Sequence, residues 1–373
     1  MLKMVITIAL GFFAWSSIAL AGDARRLSAD SLPIFTVVGA NVLGFGVANL
    51  KVRDGRIEDI SAMAPDHSFP IVNAGGQTIV PAFIDSHVHL AYAFSAQELA
   101  YGGIAAAVDL SAPLSFLSSN LKPMTVMLAG PMITAIRGYP TKSWGSKGYG
   151  LQISGTRSAS HAVDVLYAAG ARVIKMPVGD ATGSGSLSMA RNPAHLTDEE
   201  MKAIVDRAHA HGMKVAAHAL NDVDVRRAAA AGVDVLAHTP TEALSDETIA
   251  LWSDRAVIST LAAFDKLSEP IRNVRRLRKA GATVLYGTDM GYTIFPGINP
   301  VELELLAKAG LSNQDIVEAG TTIPAKYWGF GNGLGSLSIG GAASFLILGQ
   351  NPITDPANLS RPIAVYIDGQ KIK

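Results

Sequence analysis

TDEEMKAIVDRAHAHGMKVAAH, residues 197–218, holds the unit from which the fold follows. Thr197-Asp198-Glu199-Glu200 has the spacing of a capping box, in which a Thr and a Glu satisfy free amides at a helix start. An amphipathic run continues to His211, and Gly212 supplies the stop. Lys214-Val215-Ala216-Ala217-His218 then reads as a strand ending on an imidazole. The unit recurs twice: a helix over 222–231, Gly232, and a strand from Val233 to His238; then a helix over 269–280, Gly281, and a strand from Ala282 to Asp289. From Thr78 onward the chain keeps this alternation of apolar strand and helix, the βα repeat of a parallel sheet. The fold expected is α/β: a (β/α)8 TIM barrel over 81–328, which gathers the C-terminal ends of its strands on one face.

The flanks read differently. Asn49-Leu50-Lys51-Val52-Arg53 and Arg56-Ile57-Glu58-Asp59-Ile60 surround Asp54-Gly55, a hairpin signal. The Gly-rich, short-strand tail after Trp328 resembles them, so 22–80 and 329–373 are expected to form one small β-sandwich domain. Residues 1–21 read as a cleaved signal peptide: Lys3, an apolar stretch from Met4 to Trp15, then Ala19-Leu20-Ala21. That stretch is shorter than a membrane span requires. The sequence has no cysteine, hence no disulfide, and the reading is a periplasmic or secreted protein. Lys+Arg and Asp+Glu balance at 31 each, which argues against a nucleic-acid partner.

The chemistry-bearing residues cluster at strand ends. His87 and His89 are two apart, so on a strand both imidazoles face one side. His209 and His211 share that spacing on a helix, where they diverge by about 200° and cannot chelate one ion. His218 and His238 end successive strands and would be neighbours on a barrel rim. Four such histidines with strand-end Asp289 form a His/Asp set of the kind that holds hydrolytic zinc. Lys175 ends Val173-Ile174-Lys175. An ammonium about 4 Å from a dication would be repelled by roughly 8 kcal/mol at an effective dielectric of 20. Lys175 therefore either points away or is neutralised, and capture of carbon dioxide would make it an anionic carbamate.

Ordered as His87-Val88-His89, Lys175, His218, His238 and Asp289, the set resembles the amidohydrolase superfamily, in its imidazolonepropionase/prolidase-like branch. Framing stretches agree: Gly76 to Asp85, Gly130-Pro131 leading to Arg137-Gly138-Tyr139-Pro140, and Asn351-Pro352 leading to Asp368-Gly369. Ala82 and Ser344 depart from the usual Gly and Asp, at positions that bear on packing. The resemblance implies two divalent ions, zinc first, with His87, His89 and Asp289 on one, His218 and His238 on the other, and N6-carboxylated Lys175 between them. It implies an exported hydrolase that cleaves an amide or peptide-like C–N bond with metal-activated hydroxide, Asp289 being the catalytic proton carrier. Arg137, Tyr139 and Tyr292 are candidate substrate-binding residues, and Thr182 to Arg191 a candidate lid. The expected partner is a small amide or dipeptide-like molecule, with no stable membrane span and with a homo-oligomer admitted. Two alternatives stay open: a mononuclear deaminase, cyclic-amide hydrolase or lactonase of the same superfamily, and a non-catalytic metal-binding protein of the envelope.

Overall fold

In a computed structural model, which describes residues 33–179, 194–264 and 267–373, the stretch from Thr197 forms the helix and strand its sequence dictates. Glu200 donates its amide to the Thr197 hydroxyl and returns a carboxylate to the Thr197 amide at 2.9 Å. The helix runs Asp198–Ala210, and Gly212 at φ 69 turns the chain into the strand. Helices Asp222–Ala231 and Ser268–Ala280 end on Gly232 and Gly281 at φ 90 and 112, a region that only glycine enters without strain.

The parallel strands that alternate with the helices are β1 (Phe83–Val88), β2 (Ile104–Asp109), β3 (Thr125–Leu128), β4 (Val173–Pro177), β5 (Lys214–His218), β6 (Val235–Leu236), β7 (Ala256–Ile258) and β8 (Thr283–Leu285). They pair in sequence order as two ladders, β1-β2-β3 and β4-β5-β6-β7-β8. Backbone bonds cross both gaps. Arg172 donates to Leu128 O (3.0 Å) between β3 and β4, and Ser86 to Tyr286 O (3.0 Å) beside β1 and β8. β6 and β8 are shorter than the expected runs 233–238 and 282–289. Their last residues leave the ladder, Asp289 adopting φ 52.

Side-chain alternation sorts the strands into two faces. Val173, Ala216, Val235, Ala256, Ile258 and Leu285 form one apolar cluster with Trp328. Ile174, Ala217, Leu236 and Val284 belong to a second, shared with the helices. Lys175 therefore shares the face of Val173, and His218 that of Ala216, away from the helix-packed side.

The two chain ends meet in a single eight-stranded sheet. Thr78–Pro81 pairs antiparallel with Phe345–Leu348, and strands of both flanks extend from that joint. The expectation is a sandwich; the pairing is one mixed sheet. It bends back so that Ile57 donates to Gly341 O and Ala343 to Gly55 O, over a core of its own that includes Leu50, Ile57, Ile79 and Phe345. Asp54 and Gly55 form the expected hairpin turn at φ 52 and 76. Ala82 and Ser344 sit together at the joint, the Ala82 amide donating to Ser344 O at 3.1 Å. The leader 1–21 and the lid 182–191 lie outside the described residues. Among the described residues no helix is long and apolar enough to cross a membrane.

Candidate metal centre

Hydrogen bonds to carbonyls fix the tautomers of the β1 histidines. His87 Nδ1 lies 2.8 Å from Ala237 O and His89 Nδ1 3.3 Å from Ser111 O; a carbonyl only accepts, so each Nδ1 carries the hydrogen. The Nε2 lone pairs are then left facing each other at 3.3 Å. Asp289 Oδ1 stands 3.4 and 3.1 Å from those two nitrogens. Two lone pairs and a carboxylate converge with no hydrogen between them. That is unfavourable unless a cation lies among them, so the donor set fits a metal ion. His238 extends it: one ligand atom each from His87, His238 and Asp289 fall within 4.8 Å of one another. The His238 ring centre is 4.5 Å from that of His87 and 4.9 Å from that of His218.

Protonation agrees with that donor set. Burial pushes the His87 and His238 imidazolium forms well below the usual range, leaving neutral ligands. Burial alone would raise the Asp289 carboxyl; positive charge at the places of His87 and His238 and beside His89 holds it well below its ordinary value, a charge that a cation among the neutral imidazoles would supply. Lys175 is wholly buried, and its Nζ makes no hydrogen bond among the described residues. Burial brings the amine down to about 7, against the pull of Asp289.

Three buried acids that sequence reading gave no role support this centre. Asp85 accepts from Thr288 Oγ1 (2.6 Å), the Thr288 amide (3.1 Å) and the His87 amide (3.0 Å), tying β1 to the segment after β8. Burial raises it to about 7. Gly287 lets the two approach, since a Cβ there would meet Ile258 Cγ2 at 2.3 Å and the His87 amide nitrogen at 3.2 Å. Asp109 takes the Leu90 and Ser111 amides at 2.7 and 3.2 Å and so places the carbonyl that orients His89. Glu302 takes the Leu261 and Ala262 amides at 3.0 and 2.7 Å. It thereby holds the turn at Thr260 (φ 40), whose hydroxyl is 3.3 Å from His238 Nδ1. Asp109 ends an apolar strand and was open to recognition by the rule that found Asp289, whereas Asp85 lies inside β1. Glu302 lies in the helix Pro300–Lys308, where nothing local marks it.

The model of the Amidohydrolase family matches residues 78–372. The chain belongs to this family. Amidohydrolases are generally metal-dependent, in keeping with the His/Asp group. An adenine deaminase of Deinococcus deserti is 26% identical over 313 residues, covering 81% of this chain and 53% of the relative. The chain spans about half the length of the curated relatives it matches. Among solved structures, a Xaa-Pro dipeptidase with bound methionine aligns at TM-score 0.78 and 20% identity, over 91% of this chain and 99% of that one. A putative prolidase from Bifidobacterium longum aligns at 0.75 and 23%, over 92% and 95%. At these identities the likeness speaks to the fold, which is TIM-barrel-like α/β.

The six residues of the expected set, His87, His89, His218, His238, Lys175 and Asp289, are all buried. Of the substrate candidates, Tyr139 lies with its ring 5.1 Å from that of His218, tilted by 35°, and accepts the Trp144 indole hydrogen at 2.9 Å. Arg137 is exposed, at φ 64, its amide bound to Gln152 Oε1 at 2.6 Å. Tyr292 is 66% exposed just past Asp289. Away from the site, His209 and His211 bond Asp234 and Asp164 at 2.9 and 2.7 Å.

Proposed function

We propose that the protein is an exported binuclear-metal amidohydrolase that cleaves an amide or peptide-like C–N bond of a small molecule. The observation that carries this reading is Lys175: a fully buried amine, without a hydrogen bond among the described residues, close enough to His87, His238 and Asp289 for their charges to act on one another. A structural lysine would be paired. A buried amine brought down to about 7 is nucleophilic enough to capture carbon dioxide, giving an N6-carboxylate with two oxygen donors.

In this reading His87, His89 and Asp289 would hold one divalent ion, His218 and His238 the other, and carboxylated Lys175 would bridge them. Zinc is the ion this donor chemistry favours. Such ions supply Lewis acidity and bring the pKa of a water molecule toward neutrality. The remaining work falls to the chain. Asp289, held ionised, takes the proton of the attacking water and delivers it to the departing amine, leaving a carboxylic acid. Asp85 keeps the backbone of His87 and Thr288 in register, so Asp289 stays against the imidazoles. Tyr139 and exposed Arg137 offer a phenol and a guanidinium to a substrate carboxylate.

The two bonded gaps between the ladders support reading them as a closed (β/α)8 barrel over 81–328, with 22–80 and 329–373 as its small companion. Export and removal of residues 1–21 rest on the leader pattern. A mature N-terminus at Gly22 would support them.

Screening the metal-loaded protein against N-acyl amino acids, Xaa-Pro dipeptides and lactones tests the activity. Two ions per chain and turnover that falls on carbon dioxide depletion are expected; silence across the panel would overturn the reading. A mononuclear deaminase is the second reading, because His87, His238 and Asp289 form a cluster by themselves and one relative is named an adenine deaminase. One ion per chain with ammonia release would favour it.

A further inference from the structure

A band of aromatic side chains joins the two halves of the metal centre. It starts at His89, on which the Tyr92 ring stacks at 5.3 Å and 20°. Tyr92 meets Trp144 and Tyr149, each at 5.5 Å. Trp144 lies 6.1 Å from Tyr139, which reaches His218 at 5.1 Å. On another side, Phe264 stands edge-on to His238 at 5.7 Å. Only Tyr149 is buried; Tyr92 is 44% exposed, and Tyr139, Trp144 and Phe264 are half-buried.

This pattern does not fit packing alone. Aromatic residues that serve a core lie under helices and lose their exposure. These belong to segments beyond the C-terminal ends of β1, β3 and β7, and all but buried Tyr149 touch buried histidines on one side while staying partly exposed. The cations of the same loop, Arg137, Lys142 and Lys147, are all exposed.

We infer that this band is the specificity wall of the site. The substrate carries a flat or large apolar group next to its scissile C–N bond, and that group packs against Trp144 and Tyr92. Aromatic faces select by offset stacking and by burial of apolar area, so they favour an aryl amide over a methyl one. The Trp144 indole hydrogen fills a lone pair of the Tyr139 hydroxyl, which leaves the phenol hydrogen to donate into the site. The wall is thus apolar with one polar point, a form that ligand pockets use to fix orientation. The inference rests on the hydrolase reading for its substrate but not for its ligand.

Two measurements test it. The first is hydrolysis of matched pairs by the metal-loaded enzyme: N-benzoylglycine against N-acetylglycine, and N-acetylphenylalanine against N-acetylalanine. In at least one pair the aromatic member should show kcat/KM about 30-fold higher, within the range an apolar group commands in a fitted pocket. Trp144→Ala should bring that ratio below about fivefold, whereas Trp144→Phe keeps a ring and most of the preference. Tyr92→Ser, at an exposed position, should lower the ratio in the same sense if Trp144→Ala fails to fold. The second is tryptophan fluorescence on adding benzoate or acetate, with quenching by benzoate alone and its loss in Trp144→Phe. Equal rates within both pairs, or a preference that survives Trp144→Ala and Tyr92→Ser, would overturn the wall. Selective benzoate quenching without turnover of any amide would keep the wall and overturn the hydrolase. Neither turnover nor selective quenching would end both.

Discussion

Asp289 stands in the left-handed region at φ 52, which costs a non-glycine residue about 1 kcal/mol or more. The strain aims one carboxylate at three imidazoles. Asp289→Asn keeps an oxygen donor but removes the proposed proton carrier, so metal content should stay near wild type while kcat falls by about a hundredfold or more. Elemental analysis beside steady-state kinetics reads both, and undiminished kcat would exclude Asp289 from proton transfer. Lys175→Ala should abolish turnover and lose metal, with short carboxylic acids restoring part of both as a bridging oxygen returns; activity equal to wild type would show that no bridge is required. The expected ligands could be named from sequence because each ends an apolar run, and the i, i+2 spacing at His87 and His89 states its own geometry. The aromatic band was not, apart from Tyr139. Tyr92, Trp144 and Tyr149 come from loops, where side-chain direction follows no sequence period.

Between residue and molecule, short segments hold the ligand-bearing strands in place. The turn Ser259 to Ala262 is clamped by Glu302, whose carboxyl burial raises from 4.5 to about 7. Between those values the folded protein keeps a proton that the unfolded chain has released. That contribution is complete below about pH 4.5 and is lost as pH rises through 7. Glu302→Gln lacks the titration and leaves one of the two amides poorly matched. It should be less stable than wild type at pH 5, and the gap should narrow by at most about 3 kcal/mol toward pH 8 in urea unfolding. A gap that stays constant would mean Glu302 is ionised throughout. Helices were the most legible elements, since Thr197 with Glu200 and the glycines 212, 232 and 281 mark their ends chemically. Strand ends were less so. The residues after Leu236 and Leu285 look like continuing strand, yet the chain leaves the ladder there to deliver His238 and Asp289.

At the scale of the molecule, the donor residues come from β1, β4, β5 and the segments after β6 and β8, so bound ions would fasten elements spread over most of the chain. Chelation should therefore lower the melting temperature along with removing activity; ligand held at 1,000 times its dissociation constant is worth about 4 kcal/mol. Differential scanning calorimetry with and without chelator reads this, and an unchanged melting temperature would mean the ions bind only one element. The alternation of strand and helix made the α/β class legible, and composition alone linked the two flanks. That the flanks form one folded-over sheet was not legible, because strand pairing depends on partners that no local pattern names. The joint between Thr78–Pro81 and Phe345–Leu348 sets the order of assembly. Val80 and its partner Leu346 are separated by most of the polypeptide, and translation at about 5–20 residues per second puts on the order of tens of seconds between them. Throughout that interval the strand leading into the two histidines of β1 has an unpaired edge, a surface that invites pairing with other chains. The late-made strand Phe345–Leu348 thus seals the edge that leads into the site.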